Sequence, residues 1–142
     1  MSQHPFSYKT AFVDSAATNH YTQPSTPLLN KKPLSNTQPI YLTNGNTIKA
    51  SQSGMLPNLQ MLDSATKTAQ ICKHVNNISL ISLGKLCDGG CEAKITSKMC
   101  TVSKNERPII KAPRCKTTGM CVMDITKPLP NVKLKHCPEM AN

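Results

Sequence analysis

Phe12-Val13-Asp14-Ser15-Ala16-Ala17-Thr18 is the stretch that sets the reading of this chain. Two apolar residues run into an aspartate, and small and hydroxyl residues follow. An apolar strand fixes the backbone, the carboxylate emerges at its end, and small neighbours let another chain approach it. Ser15 and Thr18 can tie such a loop down through hydrogen bonds to nearby backbone. The same residues also suit a helix N-cap, because Asp or Ser ahead of a small-residue run starts helices well. The segment alone leaves both readings open.

The flanking sequence predicts strands. Residues 8–13 carry Phe12 and Val13 into the aspartate loop. Residues 23–38 hold Pro24, Pro27 and Pro33 with Lys31-Lys32 and read as an exposed loop. Residues 39–42 and 47–50 flank Asn44-Gly45, the strongest short hairpin signal. Residues 67–74 and 79–83 read as strands joined at Asn76-Asn77. The run Leu80-Ile81-Ser82-Leu83 suits a buried strand, although periodicity alone does not exclude a helix. Residues 84–88 read as one helical turn stopped by Gly89-Gly90. Residues 91–96, 100–103, 108–112 and 120–125 are strand-sized pieces with turn residues about every ten positions, the spacing of an all-β barrel or sandwich. The domain is therefore expected over residues 8–126. Residues 1–7 form a polar tail and residues 127–142, with Pro128, Pro130 and Pro138, form a second tail expected to be disordered.

Composition bounds the rest. At 142 residues the chain makes one domain plus tails. Hydrophobic residues are 38%, with no Trp and two Phe, so the core is thinly supplied. The aromatics Phe6, Tyr8, Phe12, Tyr21 and Tyr41 all lie early, so the later part must pack on Leu, Ile, Val and Met. Net charge is +10, and residues 94–135 hold ten Lys or Arg against Glu106 and Asp124. Such a surface can attract nucleic acid non-specifically, or it is simply a solvated face, since the charges are dispersed. No aromatic residue interleaves with them, which argues against a single-strand stacking platform. No secretory signal and no run long enough for a membrane span stand out. The seven cysteines therefore read as reduced thiols of an intracellular, cytoplasmic protein.

Four landmarks in order carry a family resemblance. Phe12 to Thr18 is one residue away from the Asp-Ser-Gly-Ala-Thr loop of retroviral-type aspartic proteases. Thr43-Asn44-Gly45-Asn46-Thr47-Ile48 resembles the (A/P)NGxxI hairpin of copia-type retrotransposon polyproteins. Ser79-Leu80-Ile81-Ser82-Leu83-Gly84-Lys85-Leu86-Cys87-Asp88-Gly89-Gly90-Cys91 resembles their SLISVGQLCDxGC segment, and Thr117-Thr118-Gly119-Met120-Cys121-Val122-Met123 their TGLWxxPL close. The resemblance spans Phe12 to Ile125, most of the chain. It implies a small retropepsin-like β-barrel with one short helix, from a fragment of the element's polyprotein, associated with virus-like particles.

The activity so implied is aspartic endopeptidase cleavage of the polyprotein, with water as nucleophile and no cofactor or metal. Such a site needs two carboxylates sharing a proton. The chain offers one aspartate in context, so the resemblance implies a homodimer with Asp14 of each copy at the axis. Ser15 and Thr18 would brace the loop, Ala17 would lie near the substrate backbone, Leu83-Gly84 would pack behind the loop, and Asn44-Gly45 is a candidate flap. Three departures count against activity in this copy. Ala16 stands in the family's Gly position, which is strained if that position needs a positive φ, Met120-Cys121 stands where Leu-Trp is common, and the zinc knuckle, integrase metal-binding region and reverse transcriptase motifs of the family's polyprotein are not in this sequence.

Other constellations are poorer. Cys72, His74, Cys87, Cys91 and Cys100 could supply zinc ligands, but the gap from Cys87 to Cys91 is wider than usual and no matched pair follows. No local feature activates a cysteine nucleophile. His20 reads as structural or exposed, and Asn77-Ile78-Ser79 is a glycosylation sequon that needs secretion. The rival to an endopeptidase is a non-catalytic β module that binds protein or nucleic acid through the basic C-terminal half.

Overall fold

The computed structural model describes residues 9–35, 39–41, 45, 47–73 and 79–125. Both expected tails, the Asn76-Asn77 turn, His74, Asn44 and the sequon asparagine lie outside them. Strand accounts for 53% of the described residues and helix for 12%, which places the fold in the mostly-β class. Among the described strands no closed barrel is formed.

In the largest sheet β1 (Thr10–Asp14) lies second from one edge, pairing parallel with β7 (Ser79–Ser82) and antiparallel with the edge strand β11 (Cys121–Asp124). Beyond β7 come β2 (His20–Thr22), β6 (Thr68–Cys72), β5 (Thr47–Met55) and β3 (Leu29–Pro33), with β4 (Pro39–Tyr41) also on β5. The second sheet is an antiparallel meander of β8 (Glu92–Ile95), β9 (Met99–Lys104) and β10 (Arg107–Pro113). Two short helices, α1 (Ser64–Lys67) and α2 (Leu83–Asp88), connect the strands, together with a 3-10 turn at Pro57–Leu59.

Both sheets bury one face in a shared core. Ala11, Val13, Ile71 and Ile81 meet Val102, Ile110 and Ala112, and Leu59, Leu62, Leu83 and Leu86 come from the connections. This cluster contains no aromatic residue. Phe12 and Tyr21 pack instead in two smaller clusters, one with Cys115 and Val122, the other with Ala50 and Cys72.

Several expected elements are present with shifted bounds, and others differ. The turn expected at residues 84–88 is α2, with Ser82 as N-cap through an Oγ that accepts from the Lys85 N–H. It ends in a Schellman arrangement: Gly90 N–H donates to Cys87 O, Cys91 N–H donates to Leu86 O, and Gly90 sits at φ +94°. The structure has two short α-helices rather than the one expected. The added α1 is capped by Asp63, whose Oδ1 accepts from the Thr66 N–H at 2.8 Å. The stretch expected as loop, residues 23–38, contains β3. Every residue of β3 is exposed, so it has no apolar alternation to read. Its lysines and proline suit an edge strand, where charge and a missing N–H discourage further pairing. Among the described residues no helix is long and apolar enough to cross a membrane.

Candidate active site

Asp14 is the last residue of β1 and is half-buried. No helix follows it. The chain passes through residues 15–19 directly into β2, so the N-cap alternative is not adopted. The carboxylate folds back on its own loop: Oδ1 accepts the Ala16 N–H at 2.8 Å, an Asx-type bond. Ser15, Ala16 and Thr18 are exposed, and Ala17 is half-buried. Among the non-glycine residues at positive φ are Asn30, Asn105 and Glu106, and Ala16 is not one of them. An alanine therefore sits in this loop without left-handed strain, which answers the conformational objection raised by the missing glycine.

The neighbour of this loop is the junction of β7 and α2. Parallel register sets Asp14 beside Ser82. The Ser82 hydroxyl donates to the Ala17 carbonyl at 2.6 Å and accepts from the Lys85 N–H at 3.0 Å. One serine thus starts α2 and holds the middle of the aspartate loop. Leu83 and Leu86 sink into the core from this helix. Gly84 is not forced by crowding, because a methyl there would meet only the Ser82 Oγ at 3.8 Å.

Below the loop lies a latch that the sequence does not announce. His20 is fully buried. The Ser82 N–H donates to its Nδ1 at 2.9 Å, so the ring proton sits on Nε2 and is donated to the Thr66 carbonyl at 2.8 Å. One neutral imidazole therefore ties β2 to β7 and to α1. Burial is the main reason its pKa falls from 6.5 to about 4; the Thr66 bond works against this, and Lys85 adds to it. The Lys85 ammonium donates to Asn19 Oδ1 at 3.0 Å, closing the loop from its other end. Burial holds Lys85 below the usual lysine range, opposed by Asp63. Thr18 Oγ1 lies 3.5 Å from the Tyr21 hydroxyl, at the outer limit of a hydrogen bond.

The structure fastens the Asp14–Thr18 loop to Ser82, the residue that precedes Leu83 and Gly84. Of the candidate flap, Asn44 lies outside the described residues. Gly45, at φ +89° and exposed, lies between β4 and β5, with β7, β2 and β6 between β5 and β1 in the strand order. The other aspartates are elsewhere: Asp63 caps α1, Asp88 ends α2, and Asp124 is paired with Thr10 at the opposite end of β1. Asp63 is held below the usual carboxylate range, chiefly by the Thr66 hydroxyl.

Burial pushes the Cys72 and Cys100 thiols up to about 11, away from thiolate chemistry. Among the described residues no three of His, Cys, Asp and Glu converge on a point that could hold a metal. Comparison with protein-family models, curated proteins and solved structures gives no match to this chain.

Proposed function

We propose that this chain carries an aspartic-endopeptidase domain of the retroviral type, derived from a copia-type retrotransposon polyprotein, that works as a homodimer on peptide segments of that polyprotein. The observation that carries the reading is the aspartate loop itself. A carboxylate at the end of an apolar strand is flanked in parallel by a second strand, whose following helix is fastened to the loop through Ser82 Oγ and Ala17 O. The landmark pairing of an Asp-Ser-x-Ala-Thr loop with a Leu-Gly element behind it supports this reading. So does the unstrained backbone at Ala16.

The chemistry follows from two copies of Asp14 facing each other. Like charges in contact cannot both ionise, so the pair holds one proton. The ionised member takes a proton from water as the water oxygen bonds the scissile carbonyl carbon. The protonated member gives its proton to the carbonyl oxygen. Collapse of the resulting diol sends a proton to the leaving nitrogen, breaks the C–N bond and restores the shared proton. The two acids titrate as one unit, so the activity should show a bell-shaped dependence on pH.

A peptide-library cleavage assay tests the reading. The chain as written should cleave, Asp14→Asn should abolish cleavage, and Ala16→Gly should leave activity within about tenfold, because the loop carries no strain for glycine to relieve. Cleavage that persists in Asp14→Asn, or that is absent from all three, removes the endopeptidase reading.

A further inference from the structure

Acidic residues are missing from two stretches of the second half: residues 93–105 and 108–123 contain neither Asp nor Glu. The strand register turns that absence into a surface. Lys94 pairs with Thr101, and Thr101 with Lys111, so the three form one row across β8, β9 and β10. The neighbouring row contains Val102 and Ile110, both buried in the core. Alternation along the strands therefore points the Lys94–Thr101–Lys111 row away from the core. Lys94 and Lys111 are exposed, and their Cα atoms stand about 10 Å apart, two strand spacings.

The same end of the sheet gathers further cations. Lys98 lies in the β8–β9 turn, and the Arg114 N–H donates to the Lys98 carbonyl at 2.8 Å, which anchors Arg114 beside it. Lys116 follows and is exposed. The acids of this sheet sit at the other end: Glu92 is opposite Ser103, and Glu106 is in the β9–β10 turn next to Arg107. Among the described residues the ammonium groups of Lys94, Lys98, Lys111 and Lys116 have no hydrogen-bond or ion-pair partner.

We infer that the outward face of β8–β10, at the Lys98 end, binds the phosphate backbone of nucleic acid. Exposed ammonium groups without a partner among the described residues, on a chain of net charge +10, complement a polyanion. Beyond Tyr41 the chain has no aromatic residue. The face therefore cannot stack bases, and its contacts go to phosphates regardless of sequence. This surface is separate from Asp14 and does not depend on the endopeptidase reading.

Fluorescence anisotropy with a labelled mixed-sequence duplex at low salt tests the inference. Lys94→Glu/Lys111→Glu should weaken binding by more than about tenfold and reduce the slope of log affinity against log salt by about 2. Lys32→Glu/Lys49→Glu carries the same change of net charge on the large sheet and should change affinity by less than about threefold. Asp14→Asn should bind as the parent does. If the glutamate pair lowers the melting temperature, Lys94→Gln/Lys111→Gln decides, with a smaller loss in the same direction. Equal losses from both lysine pairs, or no binding by the parent chain at low salt, overturn the inference. So does poly-glutamate displacing the probe as well as unlabelled duplex, which would make the ligand an acidic protein.

Discussion

Protonation of His20 would set a new N–H on Nδ1 against the Ser82 N–H that now donates to it. The folded protein resists that proton, and the unfolded chain does not. With a folded pKa of about 4 against 6.5 unfolded, the stabilisation from the neutral ring is complete above pH 6.5 and is lost as pH falls from 6.5 through 4. Its size is about 3 kcal/mol. Asp63, whose folded pKa is also lowered, contributes above pH 3.8 and adds a loss of the same sign only on further acidification. Urea unfolding at about pH 7 and about pH 4 checks this. The midpoint should drop markedly for the parent, and His20→Gln should be less stable at neutral pH but much flatter between the two. An unchanged parent midpoint would contradict the buried neutral imidazole.

Two turns make predictions at the scale of the element. Hairpin β9–β10 closes through Asn105 and Glu106, both at positive φ, 51° and 67°. Such a two-residue turn favours Asn-Gly, because a Cβ is penalised in the left-handed region. Glu106→Gly should stabilise the protein by about 0.5–1 kcal/mol, read as a higher urea midpoint with an unchanged slope. At the end of α2 the constraint is steric. A methyl at Gly89 would overlap the Thr66 side chain on α1. Gly89→Ala should therefore destabilise by about 1–3 kcal/mol in the same assay.

These elements also show what the sequence made legible. Gly89-Gly90 marks the end of α2 and Asn44-Gly45 marks the β4–β5 hairpin, because glycine announces a backbone need. Asn105-Glu106 carries no such mark. β3 and α1 escape for another reason. The first is exposed throughout, and the second is four residues held by the Asp63 cap, so neither has an apolar period to detect.

At the scale of the molecule, two sheets share an aliphatic core, and the aspartate loop sits where β1, β7 and α2 meet. The placement of Asp14 at a strand end was readable from Phe12-Val13-Asp14 and the small residues after it. The partners of the loop were not, because His20 bonds across 46 and 62 positions of sequence and Ser82 across 65. Contacts that distant leave no local pattern. On the proposed reading the reacting unit is two chains, since Asp63 caps α1, Asp88 ends α2 and Asp124 is paired with Thr10 at the opposite end of β1.

Subunit mixing tests that most directly. Parent chain and Asp14→Asn chain are unfolded, combined at fixed total concentration and refolded together, and peptide cleavage is measured against the parent fraction. A site made by one aspartate from each copy predicts that activity follows the square of that fraction, about one quarter at equal parts. Activity in simple proportion to the parent fraction, or no cleavage above the Asp14→Asn baseline, contradicts it.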